Sequence, residues 1–114
     1  MRFLLFLLIA LSFASCKGPK YYTKLGTKQE ASGLSTEAAN SYYAALMRKR
    51  SYIEAQVGMK RTGQSVLNQK LAEFNRKKMM GSAKEAVYSY LEAEDYKKRI
   101  GNVGVNLEVS QLYL

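Results

Sequence analysis

Residues 35–60 carry the longest helical pattern of the chain and read STEAANSYYAALMRKRSYIEAQVGMK. Apolar side chains recur there at helical spacing. They are Ala39, Tyr42, Leu46, Ile53 and Val57, widened by Tyr43 and Met47. Ser35 is suited to cap this helix, and Glu37 in the first turn suits the helix dipole. Because Gly58 and Gly63 are turn signals, the pattern predicts a first helix over about residues 36–60.

Two further helical patterns follow. Ser65 is suited to cap a second helix, with Leu67, Leu71 and Phe74 on one face and Gly81 as its stop. The sequence at 82–85, Ser-Ala-Lys-Glu, matches a capping box and predicts a third helix that ends near Gly101. Its predicted inner face comprises Ala83, Ala86, Val87, Tyr90 and Leu91. The alternative is one long helix with a weak point at Gly81.

The C-terminal residues change to a period of two. Val103, Val105, Leu107 and Val109 alternate with polar residues or glycine, which is a strand pattern. Since the chain offers no second convincing strand, this tail either packs along the helices or docks on a partner as an added strand. The sequence therefore predicts a mainly α fold: an antiparallel helical hairpin or small three-helix bundle over 35–101, with an extended tail over 102–114.

The N-terminus has the features of an export signal. Arg2 is followed by an unbroken apolar run over 3–11, then by small residues over 12–15 and the single cysteine, Cys16. A charged start, a short apolar run and a small-residue exit are typical of a signal peptide, here residues 1–15. The run is too short to cross a membrane, which needs about 20 apolar residues.

The stretch Phe13-Ala14-Ser15-Cys16 resembles a bacterial lipobox, with Phe13 in place of the usual leucine. The resemblance implies cleavage before Cys16, acyl chains on that residue and a protein anchored in the membrane of the cell envelope. In a Gram-negative cell, the absence of Asp at position 17 implies delivery to the outer membrane. The alternative is ordinary secretion with a cut after Ala14, which would leave Cys16 as a free or intermolecularly bonded thiol.

Residues 16–34 then read as a lipid-anchored flexible tether, because Gly18-Pro19, Gly26 and Gly33 interrupt a polar stretch. As a random coil, the 18 residues over 17–34 would average about 25 Å from end to end. Four lysines are candidate contacts to an anionic leaflet: Lys17, Lys20, Lys24 and Lys28.

The chain is strongly basic, with 18 Lys and Arg against 9 Asp and Glu among 114 residues. Export makes nucleic acid an unexpected partner, so anionic lipids or wall polymers are the favoured counter-surfaces. Three basic triplets stand out, at 48–50, 76–78 and 97–99. The last two fall at predicted helix ends, where cations are favourable. Arg48, Lys49 and Arg50 fall inside the predicted first helix and are candidate anionic-surface contacts, although a solvated basic face explains them as well.

Catalytic chemistry is disfavoured. The chain has no histidine and one cysteine, which removes Ser/His/Asp and Cys/His nucleophiles and His- or Cys-based zinc sites. Glu92, Glu94 and Asp95 cluster, but their basic neighbours favour ion pairs over a metal site. We expect no cofactor and no enzyme activity.

The sequence thus predicts a small lipid-anchored envelope protein that acts by binding another envelope protein, as an accessory or assembly component. An entry-exclusion or lysis-type lipoprotein of a mobile element is the alternative.

Overall fold

The computed structural model describes residues 2–6, which are helical, and residues 17–110. Within 17–110 the chain forms four helices: α1 Pro19–Ala31, α2 Ser35–Arg48, α3 Ile53–Met79 and α4 Ala83–Gly101. The mainly helical prediction is confirmed. The predicted cleavage site and Cys16 lie outside the described residues.

The 27-residue helix α3 is the centre of the fold. Helices α2 and α4 both pack against α3, and α1 packs on α2 and, less extensively, on α3. The core between them is formed by side chains from α2, α3, α4 and the tail. Its largest fully buried members are Tyr42, Leu46, Met59, Thr62, Leu67, Leu71 and Ile100.

Left-handed glycines end α1 and α3. Gly33 and Gly81 have φ values of 78° and 77°, which residues with a side chain rarely adopt. After each, the next backbone N–H reaches back five residues, from Leu34 to Gln29 and from Ser82 to Lys77, as in a Schellman cap. The predicted stop at Gly81 is therefore confirmed, and the segments on either side of it are separate helices.

The prediction of one helix over 36–60 is wrong, because the helical conformation is interrupted between Arg48 and Ile53. Lys49 is extended, with φ −148° and ψ 99°, and the Gln56 side chain donates to the Arg50 carbonyl at 2.7 Å. The break resets the helical phase. Ala55, Met59 and Thr62 are therefore buried in α3, whereas Ile53 and Val57, predicted for the inner face, are exposed.

Gly58 and Gly63 were predicted to mark the end of a helix, and this prediction is wrong. Both lie buried inside α3. A Cβ atom on Gly58 would lie 2.4 Å from Cζ of Tyr42, and one on Gly63 would lie 3.3 Å from Cδ2 of Leu107. Both glycines therefore provide room for a side chain from another element. Likewise Ser65, predicted as a cap, is an interior residue of this continuous helix.

The predicted flexible tether is also wrong, because most of it forms α1. Pro19 occupies the start of the helix, where its missing N–H costs nothing, and Thr23 and Gly26 are buried. Ser41 donates to the Gln29 side chain at 2.5 Å, and the Tyr42 hydroxyl donates to Glu30 at 3.0 Å. These contacts fasten α1 to α2 in antiparallel orientation.

Helix α4 confirms the predicted end at Gly101, but its buried face differs from the predicted one. Ala86 is buried as expected, while Val87 and Leu91 are exposed. The residues that face the core recur every three or four positions. They are Ala86, Ser89, Ala93, Tyr96 and Ile100.

The C-terminal tail packs against the core over its described residues, 102–110, while the rest of the predicted tail, 111–114, lies outside the described residues. Val103, Val105 and Leu107 are buried and Val109 is half-buried, so the prediction that they dock on a partner is wrong and the packing alternative is right. The Gln64 side chain donates to the Glu108 carbonyl at 2.7 Å and accepts from the Glu108 N–H at 2.9 Å. These bonds replace the strand partner that the tail lacks.

The first prediction concerns the close approach at Gly58. We expect Gly58→Ala to lower the free energy of unfolding by about 1–3 kcal/mol, since the added methyl group overpacks against the Tyr42 ring. This loss should appear although alanine favours a helix by about 1 kcal/mol over glycine. Gly101→Ala is the matched control, because a Cβ there meets nothing within 4 Å. Equal stability of the two variants in urea unfolding would contradict the packing described.

The second prediction concerns the tail. Leu107 is 2% exposed, so we expect Leu107→Ala to destabilise the domain by about 2–5 kcal/mol through lost burial and a residual cavity. Leu91→Ala removes the same atoms from an exposed position of α4 and should change stability by less than about 1 kcal/mol. If thermal melts show Leu107→Ala to be as benign as Leu91→Ala, the tail does not pack in the core.

Candidate functional site

Lys17, which precedes α1, and the end of α2 lie at the same end of the domain. The Arg48 guanidinium donates from Nε to the Lys17 carbonyl at 3.0 Å and from Nη2 to the Tyr22 hydroxyl at 3.2 Å. Its central carbon also lies 4.1 Å from the centroid of the Tyr22 ring, a cation–π contact. These contacts fix Lys17, the residue that follows Cys16, against the last turn of α2.

We call this region the basal end and define it by five exposed basic residues: Lys17, Lys20, Arg48, Lys49 and Arg50. Arg48 is the last residue of α2 and Lys49 its C-cap, so this triplet also satisfies a helix C-terminus. The prediction that it lies inside a helix is wrong. A Cβ on Gly104 would meet Nε of Arg50 at 2.8 Å, which brings the start of the tail to the same end.

The other two predicted lysines lie further up α1. Lys24 and Lys28 are one and two turns beyond Lys20, about 6 and 12 Å along the axis at 1.5 Å per residue. Lys28 falls in the last turn of α1 and its carbonyl accepts from the Ser32 hydroxyl at 3.1 Å. The structure therefore brings two of the four predicted lysines to the basal end and leaves Lys28 near the other end of α1.

Apolar side chains are exposed beside these charges. Ile53, the first residue of α3, is 71% exposed, and Val57 one turn later is 56% exposed. Met47, in the last turn of α2, is 63% exposed, and the Tyr21 ring is partly exposed with Lys17 Nζ 4.3 Å from its centroid. The sequence pattern assigned Met47, Ile53 and Val57 to the core. Only the break after Arg48 reveals them as surface residues.

The remaining basic triplets lie at opposite ends of the α3–α4 hairpin. Residues 97–99 occupy the end of α4 that leads into Gly104 and the basal end. Residues 76–78 occupy the end of α3, which lies about 36 Å along the helix axis from Ile53. We call this second region, residues 76–88, the distal end. The Arg76 guanidinium donates two hydrogen bonds to the Glu73 carboxylate, from Nη2 at 2.5 Å and from Nε at 2.9 Å.

One member of the acidic cluster of α4, Glu92, forms an ion pair with a lysine of α3. Glu92 accepts from Lys70 of α3 at 2.7 Å, and this hydrogen bond lowers the pKa of the Glu92 carboxyl. Among the residues that the structure describes, no group of three or more His, Cys, Asp and Glu side chains could hold a metal ion. Nor, over the same residues, is any helix long and apolar enough to cross a membrane.

Comparison with known proteins adds no relative: no protein-family model, curated protein or solved structure matches this chain.

Proposed function

We propose that this chain is a lipid-anchored protein of the bacterial cell envelope that acts by binding, as an accessory or assembly component of an envelope complex. The observation that carries the proposal is the sequence over residues 1–16, in which a basic start and an apolar run typical of a signal peptide precede the lipobox-like Phe13-Ala14-Ser15-Cys16, followed at once by a basic folded domain. Two or three acyl chains on Cys16 would anchor the protein stably, whereas one chain binds a membrane only marginally.

A binding role is supported by the apolar and aromatic side chains that the domain exposes at its distal end. The distal end carries Met79, Met80, Val87 and Tyr88 at the surface, next to Lys78 and Lys84. Exposed apolar and aromatic side chains of this kind are enriched at protein interfaces. We propose an envelope protein as the partner of the distal end, and the outer membrane as the site of anchoring in a Gram-negative host.

The third prediction tests the anchor. In Cys16→Ala, no thiol is left to receive diacylglycerol, so we expect metabolic labelling with a fatty acid to disappear and uncut precursor or a soluble form to accumulate. Intact mass spectrometry of the purified protein gives the cleavage site directly. Ser15→Ala is the matched control, because it keeps a small residue before the cysteine and should be cut and acylated like the natural chain.

Two results would contradict the proposal. One is a Cys16→Ala protein that matures normally and still partitions into detergent. The other is a natural chain whose mass places the cut after Ala14 and leaves the thiol of Cys16 unmodified, as ordinary secretion requires.

A further inference from the structure

We propose that the basal end sits directly on an anionic membrane surface, with Ile53 and Tyr21 at the boundary between head groups and acyl chains. This inference rests on the proposed anchoring at Cys16 and adds the surface that the domain turns toward the membrane and the chemistry of the lipid that it meets.

The chain between the proposed anchor at Cys16 and the folded domain is short. Consecutive Cα atoms lie about 3.8 Å apart, so Cys16 is one such step from Lys17. The Lys17 carbonyl is held by Nε of Arg48 at 3.0 Å, which places this residue against the basal end. An acyl group on Cys16 would therefore enter the bilayer beside the basal end, with no spacer to hold the domain away from it.

The basal end carries a concentration of positive charge. The five side chains that define the basal end are all cationic, and Glu54 is the acidic residue nearest to them in sequence at the start of α3. Among the described residues, Lys20 and Lys49 form no ion pair and no side-chain hydrogen bond, so their ammonium groups are available to lipid phosphates. Clustered lysines and arginines beside a membrane anchor are typical of contacts to anionic lipid.

Apolar and aromatic side chains are exposed at the basal end. Ile53 is 71% exposed and lies at the end of the molecule where the charges are concentrated. Tyr21 adds an amphipathic ring, a side chain that is favoured at the level of the lipid head groups. Apolar residues flanked by cations match a lipid surface, which offers phosphate groups above an acyl region.

The fourth prediction uses tryptophan reporters. The chain contains no tryptophan, so one introduced at an exposed position reports only its own surroundings. We expect Ile53→Trp in the lipidated protein, reconstituted in vesicles that contain about one third phosphatidylglycerol, to shift its emission to the blue and to resist quenching by aqueous iodide. Val87→Trp, at the distal end, should keep the emission and quenching of a tryptophan in water. Identical behaviour of both reporters, or a shift at Val87→Trp alone, would overturn the proposal.

The same preparation separates a membrane from a second copy of the chain. A blue shift of Ile53→Trp that grows with protein concentration in the absence of vesicles would mean that the basal end is covered by another copy, which contradicts the proposal. A shift that is equal on neutral and anionic vesicles would remove the role assigned to the charges and contradict it as well.

A companion measurement removes the anchor. A chain starting at Lys17 retains every described core residue, from Ala38 to Leu107, and cannot be acylated. We expect it to bind phosphatidylglycerol vesicles weakly and to lose binding between low and moderate salt, because exposed charges are screened. The double variant Lys20→Gln/Lys49→Gln should weaken this binding about 25-fold, at about fivefold for each lysine near a membrane surface.

Lys78→Gln/Lys84→Gln is the matched control, with the same loss of charge at the distal end, and should bind within about twofold of the natural sequence. Equal losses in the two double variants, or binding that salt does not affect, would overturn the assignment of the surface. Because this chain carries no Cys16, its result is independent of whether the natural protein is acylated.

Discussion

The packing of α1, α2 and α3 against one another depends on one tyrosine ring that lies between two glycines. Tyr42 of α2 is 1% exposed and lies against Gly26 of α1 and Gly58 of α3, where added Cβ atoms would come within 2.9 and 2.4 Å of the ring. Its hydroxyl donates to Glu30, which also accepts two bonds from Arg61 of α3. The hydrogen bonds from Arg61 lower the pKa of the Glu30 carboxyl and so favour its ionised form. The Tyr42 side chain thus contacts three helices and, with the bonds from Ser41 and Arg48, holds α1 in the domain.

The incorporation of α1 changes what the N-terminal region does. A flexible tether would let the domain move freely at about 25 Å from its anchor. A packed α1 instead fixes Lys17 to Arg48 and gives the domain a defined polarity, with Lys17 at the basal end and the distal end of the α3–α4 hairpin about 36 Å away along α3. Under the proposed anchoring, the distal end would be the part of the protein best placed to meet a partner that does not lie on the same membrane surface.

The sequence predicted the helical class, the helix end at Gly101 and, as one of two alternatives, a separate helix after Gly81, where the glycine adopts the left-handed conformation. The predicted capping box does not form, since Ser82 makes no side-chain hydrogen bond at the start of α4. It failed where glycine has a tertiary role. Gly26, Gly58 and Gly63 read as breaks, yet each lies in a helix where a neighbouring side chain requires the space of a missing Cβ. For the candidate site, the residue types of Lys17, Lys20 and Arg48–Arg50 were evident, but their meeting depends on the antiparallel pairing of α1 with α2. Ile53 and Val57 were assigned to the core because the break after Arg48 leaves no clear signal in the sequence.

Neutron reflectometry of the lipidated protein on a supported bilayer with anionic lipid tests the central claim most directly, namely that a packed α1 holds the basal end against the membrane. If the basal end lies on the membrane, the protein density should start at the lipid head groups, with no hydrated layer between the bilayer and the domain. A water-rich gap of about 25 Å between bilayer and domain, the spacing expected of a flexible tether, would contradict it.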